Sequence, residues 1–129
     1  AAAVAVATSD TWASEFGCLD DRVRMITTLR RCEPGLNGGV SPRGQAAALG
    51  GAALIAGLSF VAAAATAQGS GPLSGFEPLL VLLAGFLGCQ IDSLLGAVLE
   101  NRGLMTKGTV NAASILCGSL AVALILGFP

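Results

Sequence analysis

The chain contains no histidine and no tyrosine, a single tryptophan and few charges. Only 12% of its residues are Asp, Glu, Lys or Arg, where a soluble domain carries about 25%. Without histidine, imidazole-based acid–base catalysis and most zinc sites are excluded. The 4 cysteines, Cys18, Cys32, Cys89 and Cys117, form no CxxC pair, and Cys89 and Cys117 lie inside apolar runs. They read as small buried or loop thiols of a reducing compartment, not as a disulfide framework or zinc ribbon. The net charge of −1, with no basic tract and no stacking-aromatic pattern, excludes a nucleic-acid partner. What is present is apolar: 53% of residues are hydrophobic and the mean hydropathy is +0.76. The composition is that of a membrane protein.

Four apolar stretches succeed one another, which predicts an all-α, polytopic transmembrane bundle of about four helices forming a single domain over 1–129. The first stretch runs from Ala1 to about Gly17. Its Ala/Val run is shorter than the roughly 20 residues a spanning helix needs. It lacks the basic n-region and cleavage pattern of a signal peptide. The expectation is a fragment lacking N-terminal helices, with preceding residues completing the first one. Gln45–Gln68 carries no charge, and Gly50, Gly51, Ala53 and Gly57 offer a small-residue side for close helix contact. Glu77–Glu100 is interrupted by Asp92, which shares a face with Gly85, Gly88 and Gly96. Val110–Phe128 opens on a polar stripe of Asn111, Ser114 and Gly118.

The connections differ in charge. Residues 18–43 form a polar loop with Arg22, Arg24, Arg30, Arg31 and Arg43, a short extended or interfacial piece at Met25–Leu29, and the turn-forming run Pro34–Ser41. Gly69–Gly75 has no basic residue, whereas Arg102–Thr109 holds Arg102 and Lys107. All 7 basic residues therefore fall in the first and third connections. The positive-inside rule puts those connections on the cytoplasmic or stromal side.

Acids in a bilayer are costly, about 2.5–3.5 kcal/mol for a central Asp, so those that occur call for a partner. At 1.5 Å per residue, Asp10 lies about 12 Å of helix from Cys18 and Asp92 about 13 Å from Asn101. Both fall at similar depth beneath the same face. Asp10 and Glu15 are about 140° apart on a helix, so they flank a site more easily than they chelate one ion. A polar pocket is expected there, lined from the first, third and fourth segments and covered by the arginine- and glycine-rich loop. Carboxylates with hydroxyl and amide neighbours are hard oxygen ligands suited to Mg²⁺. Arginines, a lysine and a run of glycines suit phosphates. Together they fit phosphoryl transfer to a lipid. A purely structural role for the acids, or a small-solute or ion transporter with intramembrane acidic residues, fits the same residues.

The motifs sharpen this. Asp10-Thr11-Trp12-Ala13-Ser14-Glu15 with Gly17, Ile26-Thr27-Thr28, Gly35-Leu36-Asn37-Gly38-Gly39-Val40-Ser41, Ile91-Asp92-Ser93-Leu94-Leu95-Gly96-Ala97 and Val110-Asn111 occur in order. The sequence thereby resembles an integral membrane family long labelled a domain of unknown function. That family includes the transmembrane protein 19 group and the phytyl-phosphate kinases. The resemblance implies a membrane-embedded kinase that moves a phosphoryl group from a nucleoside triphosphate, CTP, to an isoprenyl monophosphate with Mg²⁺. On this basis Asp10 and Asp92 are assigned to the metal, and Glu15 is a further ligand or orients an arginine. Arg30, Arg43, Lys107 and the backbone of Asn37-Gly38-Gly39 are assigned to phosphates, and Ser93 and Asn111 to donor or acceptor oxygens. Lys107-Gly108-Thr109 stand where family members commonly carry Asn-Asp before Val-Asn. The expected partners are the nucleotide, the isoprenoid substrate and membrane lipids.

Overall fold

A computed structural model describes residues 1–65 and 76–127. Within those residues four α-helices succeed one another: α1 (Ala2–Gly17), α2 (Pro42–Ala65), α3 (Glu77–Leu95) and α4 (Lys107–Leu126). A π-helical turn, Gly96–Glu100, extends α3. A two-stranded antiparallel ribbon between α1 and α2 pairs β1 (Arg24–Met25) with β2 (Gly39–Val40), with Arg24 opposite Val40 and Met25 opposite Gly39. The all-α membrane bundle expected from the sequence is therefore the architecture observed. Among the described residues, three helices are long and apolar enough to cross a membrane: Pro42–Ala65, Glu77–Glu100 and Lys107–Leu126. The connection Gly69–Gly75 and the ends of the predicted segments at Gln68 and Phe128 lie outside the described residues.

The shortest helix is the axis. α1 packs against all three spanning helices, and glycine permits each approach. A Cβ on Gly51 of α2 would stand 3.1 Å from the Thr8 carbonyl oxygen. One on Gly85 of α3 would stand 2.9 Å from Ala5 Cβ, and one on Gly88 2.5 Å from Val6 Cγ2. One on Gly118 of α4 would also meet Val6 Cγ2, at 2.8 Å. Lipid tails are as apolar as leucine, so helices in a bilayer associate through this kind of close van der Waals contact. The outward faces carry exposed leucines, among them Leu54, Leu58, Leu83, Leu87, Leu116 and Leu120.

Two corrections concern α2. Its buried face is Gly44, Ala48, Gly51, Ala52 and Ala56, which keeps Gly51 of the predicted small-residue side but not all of it: Ala53 is exposed and a Cβ on Gly57 would meet nothing within 4 Å. The helix also starts at Pro42 rather than Gln45. Ser41 Oγ accepts from the Gly44 N–H at 3.1 Å, and proline at the first helical position has no N–H to leave unpaired. Likewise α4 starts at Lys107 rather than Val110, because Thr106 and Thr109 form a reciprocal capping box. At the other end Gly127, at φ +68, closes the helix.

The loop is tied down by Asp20. Its buried carboxylate accepts from Arg22 through the backbone N–H at 3.0 Å, Nε at 3.0 Å and Nη2 at 3.2 Å, and from the Arg43 N–H at 3.1 Å. Those bonds, led by the Arg22 side chain, hold the Asp20 carboxyl down at about 2. The same pairing raises the Arg22 guanidinium. A loop acid that accepts from an N–H of the first turn of α2 also suits the positive end of the helix dipole.

Candidate functional site

A cavity of about 240 Å³ opens at the end of the bundle where the ribbon crosses it. Its lining joins α1, α2, the glycine-rich run, the π-helical turn and the start of α4. Asp10 enters from α1 and Asp92 from α3, and the two carboxyl groups lie within hydrogen-bonding reach of each other. The stripe on α3 is responsible: Gly85, Gly88, Asp92 and Gly96 are all buried, so α1 comes close enough for the acids to meet. Two ionised carboxylates so placed repel, and the arrangement is relieved by a shared proton or a cation.

Lys107 supplies the local positive charge. It begins α4, lines the cavity and interacts electrostatically with both acids. A cation at a helix N-terminus opposes the helix dipole, so the acid pair offsets an otherwise unfavourable placement. Glu100 of the π-helical turn adds a further negative charge near Asp10. Among the described residues no cluster of three or more His, Cys, Asp or Glu side chains could hold a metal by itself.

The glycine-rich run packs on the π-helical turn. Gly38 has φ +81, and a Cβ there would fall on Ala97 and stand 2.7 Å from the Ser93 carbonyl oxygen. Gly96 faces Asn37 in ordinary contact, with a Cβ there standing 3.4 Å from Asn37 Cβ. Asn101 Nδ2 donates to the Asn37 carbonyl at 3.0 Å. The N–H groups of Asn37 and Gly38 make no hydrogen bond among the described residues, which leaves two adjacent donors beside the cavity.

Of the predicted residues, Asp10, Asn37, Gly38, Gly39, Asp92, Ser93 and Lys107 line this one cavity. Asn111 stands behind Asp92: with its carboxamide oriented to satisfy both ends, it donates to Asp92 Oδ2 at 2.9 Å and to the Lys107 carbonyl at 3.3 Å. Glu15, Arg30 and Arg43 are exposed and lie outside the lining. Glu15 turns away because α1 continues as regular helix to Gly17, which keeps its 140° offset from Asp10. The Arg43 guanidinium instead reaches back to the Leu19 carbonyl at 3.4 Å. Gln45 and Glu100 line the cavity without having been singled out. Gln45 Nε2 donates to Gln90 Oε1 at 3.1 Å, a bond between α2 and α3 that two lone amides in apolar segments do signal.

Apolar spanning helices packed around a polar cavity define an integral membrane protein. The chain belongs to the family described as integral membrane protein DUF92, whose model matches residues 1–125. It is similar to Protein PGR of Arabidopsis thaliana, 39% identical over 99 residues, covering 73% of this chain and 34% of that protein. It is also similar to an uncharacterized membrane protein of Methanocaldococcus jannaschii, 31% identical over 127 residues, covering 95% of this chain and 48% of that protein. The chain thus spans less than half the length of these curated relatives. No solved structure matches it. The family expected from the motifs is the one found.

Proposed function

We propose that the protein is a membrane lipid kinase that transfers the terminal phosphoryl group of a nucleoside triphosphate, CTP, to an isoprenyl, phytyl-like monophosphate. The observation that carries the reading is the meeting of Asp10 and Asp92 in a cavity that also holds Lys107 and the free N–H groups of Asn37 and Gly38. An oxygen-only acid pair with open space beside it suits Mg²⁺, which is bound by one or two carboxylates and completes its shell with water and phosphate oxygens. Asp10 and Asp92 would hold that ion, and when bound it neutralises charge on the phosphates being transferred.

The remaining roles follow from charge and geometry. Asn37 and Gly38 donate backbone N–H groups to the nucleotide phosphates, Gly39 keeps the run close-packed, and Lys107 adds a positive charge at the same mouth. Ser93 offers a hydroxyl to a donor or acceptor oxygen. The acceptor is already an oxyanion near neutral pH, so its attack on the terminal phosphorus needs no general base, in keeping with a chain without histidine. The new bond joins that oxygen to phosphorus, the bond from the terminal phosphorus to its bridging oxygen breaks, and a nucleoside diphosphate leaves. In this reading Glu15, Arg30 and Arg43, outside the cavity, touch neither metal nor phosphate. The basic first and third connections favour a site facing the cytoplasm or stroma.

The test is direct. Purified protein is incubated with a panel of prenyl monophosphates and each labelled nucleoside triphosphate, and lipid products are analysed for a diphosphate. Transfer is expected with Mg²⁺, with Asp10→Asn and Asp92→Asn each losing about 10²-fold or more. No transfer to any acceptor, or full activity in both variants, rejects the reading. Acid-dependent solute uptake into proteoliposomes would put a transporter in its place.

A further inference from the structure

Asp10 aside, the groups that hold Asp92 meet one of its two oxygens. Ser114 Oγ lies 2.8 Å from Asp92 Oδ2, and the Asn111 amide donates to the same oxygen at 2.9 Å. Both side chains come from α4, three residues apart. Ser114 is 1% exposed, so no water from the surface competes for it. Its hydroxyl has one proton and two acceptors within reach, Asp92 Oδ2 and the Asn111 carbonyl at 2.9 Å. A carboxylate is the stronger acceptor, so the proton points at Asp92. Asn111 is fixed in turn by its second donation, to the Lys107 carbonyl at 3.3 Å. Among the described residues no backbone or hydroxyl donor reaches Oδ1.

We propose that Ser114 and Asn111 are positioning residues that hold Asp92 by Oδ2, so that it meets a divalent cation through Oδ1 alone. The inference rests on the reading of Asp10 and Asp92 as a cation site. Its chemistry is that of a hydrogen-bonded carboxylate ligand, whose orientation is set by neighbours that never touch the ion. Single-oxygen ligation suits an ion that is to exchange water for phosphate, because it leaves most of an octahedral shell open. Asn111, assigned from sequence to substrate oxygens, acts here through Asp92. Ser114 enters with it.

The probe is Mn²⁺ alone, titrated into the purified full chain in detergent and followed by the electron paramagnetic resonance signal of the free ion. Ser114→Ala and Asn111→Ala are expected to weaken Mn²⁺ binding about tenfold or more. Ser114→Thr, which keeps the hydroxyl, should stay within about threefold of the parent. A residue needed only for packing would lower the metal-free unfolding temperature and leave the Mn²⁺ affinity alone. If the parent binds Mn²⁺ and Asp92→Asn abolishes it, but Ser114→Ala and Asn111→Ala bind like the parent, the positioning role is overturned and the cation site stands. If the parent takes up no Mn²⁺, or Asp10→Asn and Asp92→Asn bind it unchanged, the cation site itself is refuted. Should Ser114→Ala fail to fold, Asn111→Ala gives the same readout.

Discussion

At the cavity end of the bundle, neighbouring elements are joined by named hydrogen bonds. Ser41 donates to the Gly17 carbonyl, the Arg43 N–H to Asp20, Gln45 to Gln90, Asn101 to the Asn37 carbonyl and Ser114 to Asp92. Toward the other end, Ala5, Ala56 and Val81 form an apolar core with Ile55 and Leu82 packed against it, and Ser119 Oγ is buried without a partner among the described residues. The difference separates two jobs. Small apolar contacts set how close the helices come but tolerate rotation and sliding. Directional bonds fix which atoms face which. A site that depends on two carboxylates meeting needs the second kind of contact, and that is where the bonds are concentrated.

The comparison breaks most severely at the point where both ends depend on one close approach. Gly88 packs on Val6 of α1, about one helical turn before Asp92 on α3. Gly88→Val places its Cβ 2.5 Å from Val6 Cγ2, and neither helix can yield without losing contact with the third. The expected loss is about 3 kcal/mol, the upper part of the range for overpacking, read from denaturant unfolding in detergent micelles. The proposed transferase activity should disappear with it, since α1 carries Asp10. Gly57→Ala, on the open outer face of α2, is the matched control. With no atom within 4 Å of the new methyl, it should stay within about 0.5 kcal/mol of the parent. Equal effects at the two glycines would mean that α1 is not the axis of the bundle.

A second substitution should damage the cavity end alone. Gly38 needs a positive φ and has no room for a Cβ above Ala97 and the Ser93 carbonyl. Gly38→Ala would cost about 1–2 kcal/mol in backbone strain and more in overlap if the loop stayed docked. Undocking the loop is cheaper, because the Asn101 bond that fastens it is exposed and so contributes only about 1 kcal/mol. If the protein binds the proposed nucleotide, the expected result is binding weakened about tenfold, about 1.4 kcal/mol, with helix unfolding nearly unchanged. Loss of helical stability as large as that of Gly88→Val would show that loop and bundle fold as one unit.

These glycines also show how far the sequence could be read. The stripe Gly85, Gly88, Asp92, Gly96 was legible because an acid marks which face of α3 turns inward, and all four residues are buried. On α2 nothing marks the face. Ala and Gly occur on every side of a stretch without charge, so helical periodicity could not separate Gly44, Ala48 and Gly51 from Gly50, Ala53 and Gly57. The depth argument brought Asp10 and Asp92 together because it needs only rise per residue. It could not foresee the central position of α1, a property of packing rather than of the short run itself. The ribbon is two residues per strand, too short for an alternation signal. The π-helical turn is a change of hydrogen-bond register with no composition of its own. Ser114 was visible as part of a polar stripe, but its aim at one oxygen of Asp92 depends on the rotation of α4. Glu15, Arg30 and Arg43 were grouped with the site by charge, and charge alone does not say which way an exposed side chain turns.

The smallest effect tests whether the cavity cover is held electrostatically, as its bonding implies, while the apolar end is not. Asp20 ties the segment leading into the ribbon to α2 through Arg22 and Arg43, and its carboxyl is held down at about 2 in the folded protein, against an ordinary 3.8. A depressed carboxyl contributes stability that is complete above its unfolded value, near 4, and is lost as pH falls through the folded value near 2. Between those limits the Arg43 N–H should lose its acceptor and exchange with solvent progressively faster, while amides in the buried middle of α1 stay protected. The measurement is amide hydrogen exchange by mass spectrometry from pH 5 to pH 2, corrected for intrinsic rates. In Asp20→Asn the ribbon should exchange faster at neutral pH and show a much flatter response to acid, because the titrating group is gone. Acid opening that persists unchanged in Asp20→Asn would assign the fastening to another group. Acid opening of both ends together would erase the distinction between a cover held by directional bonds and a bundle held by close packing.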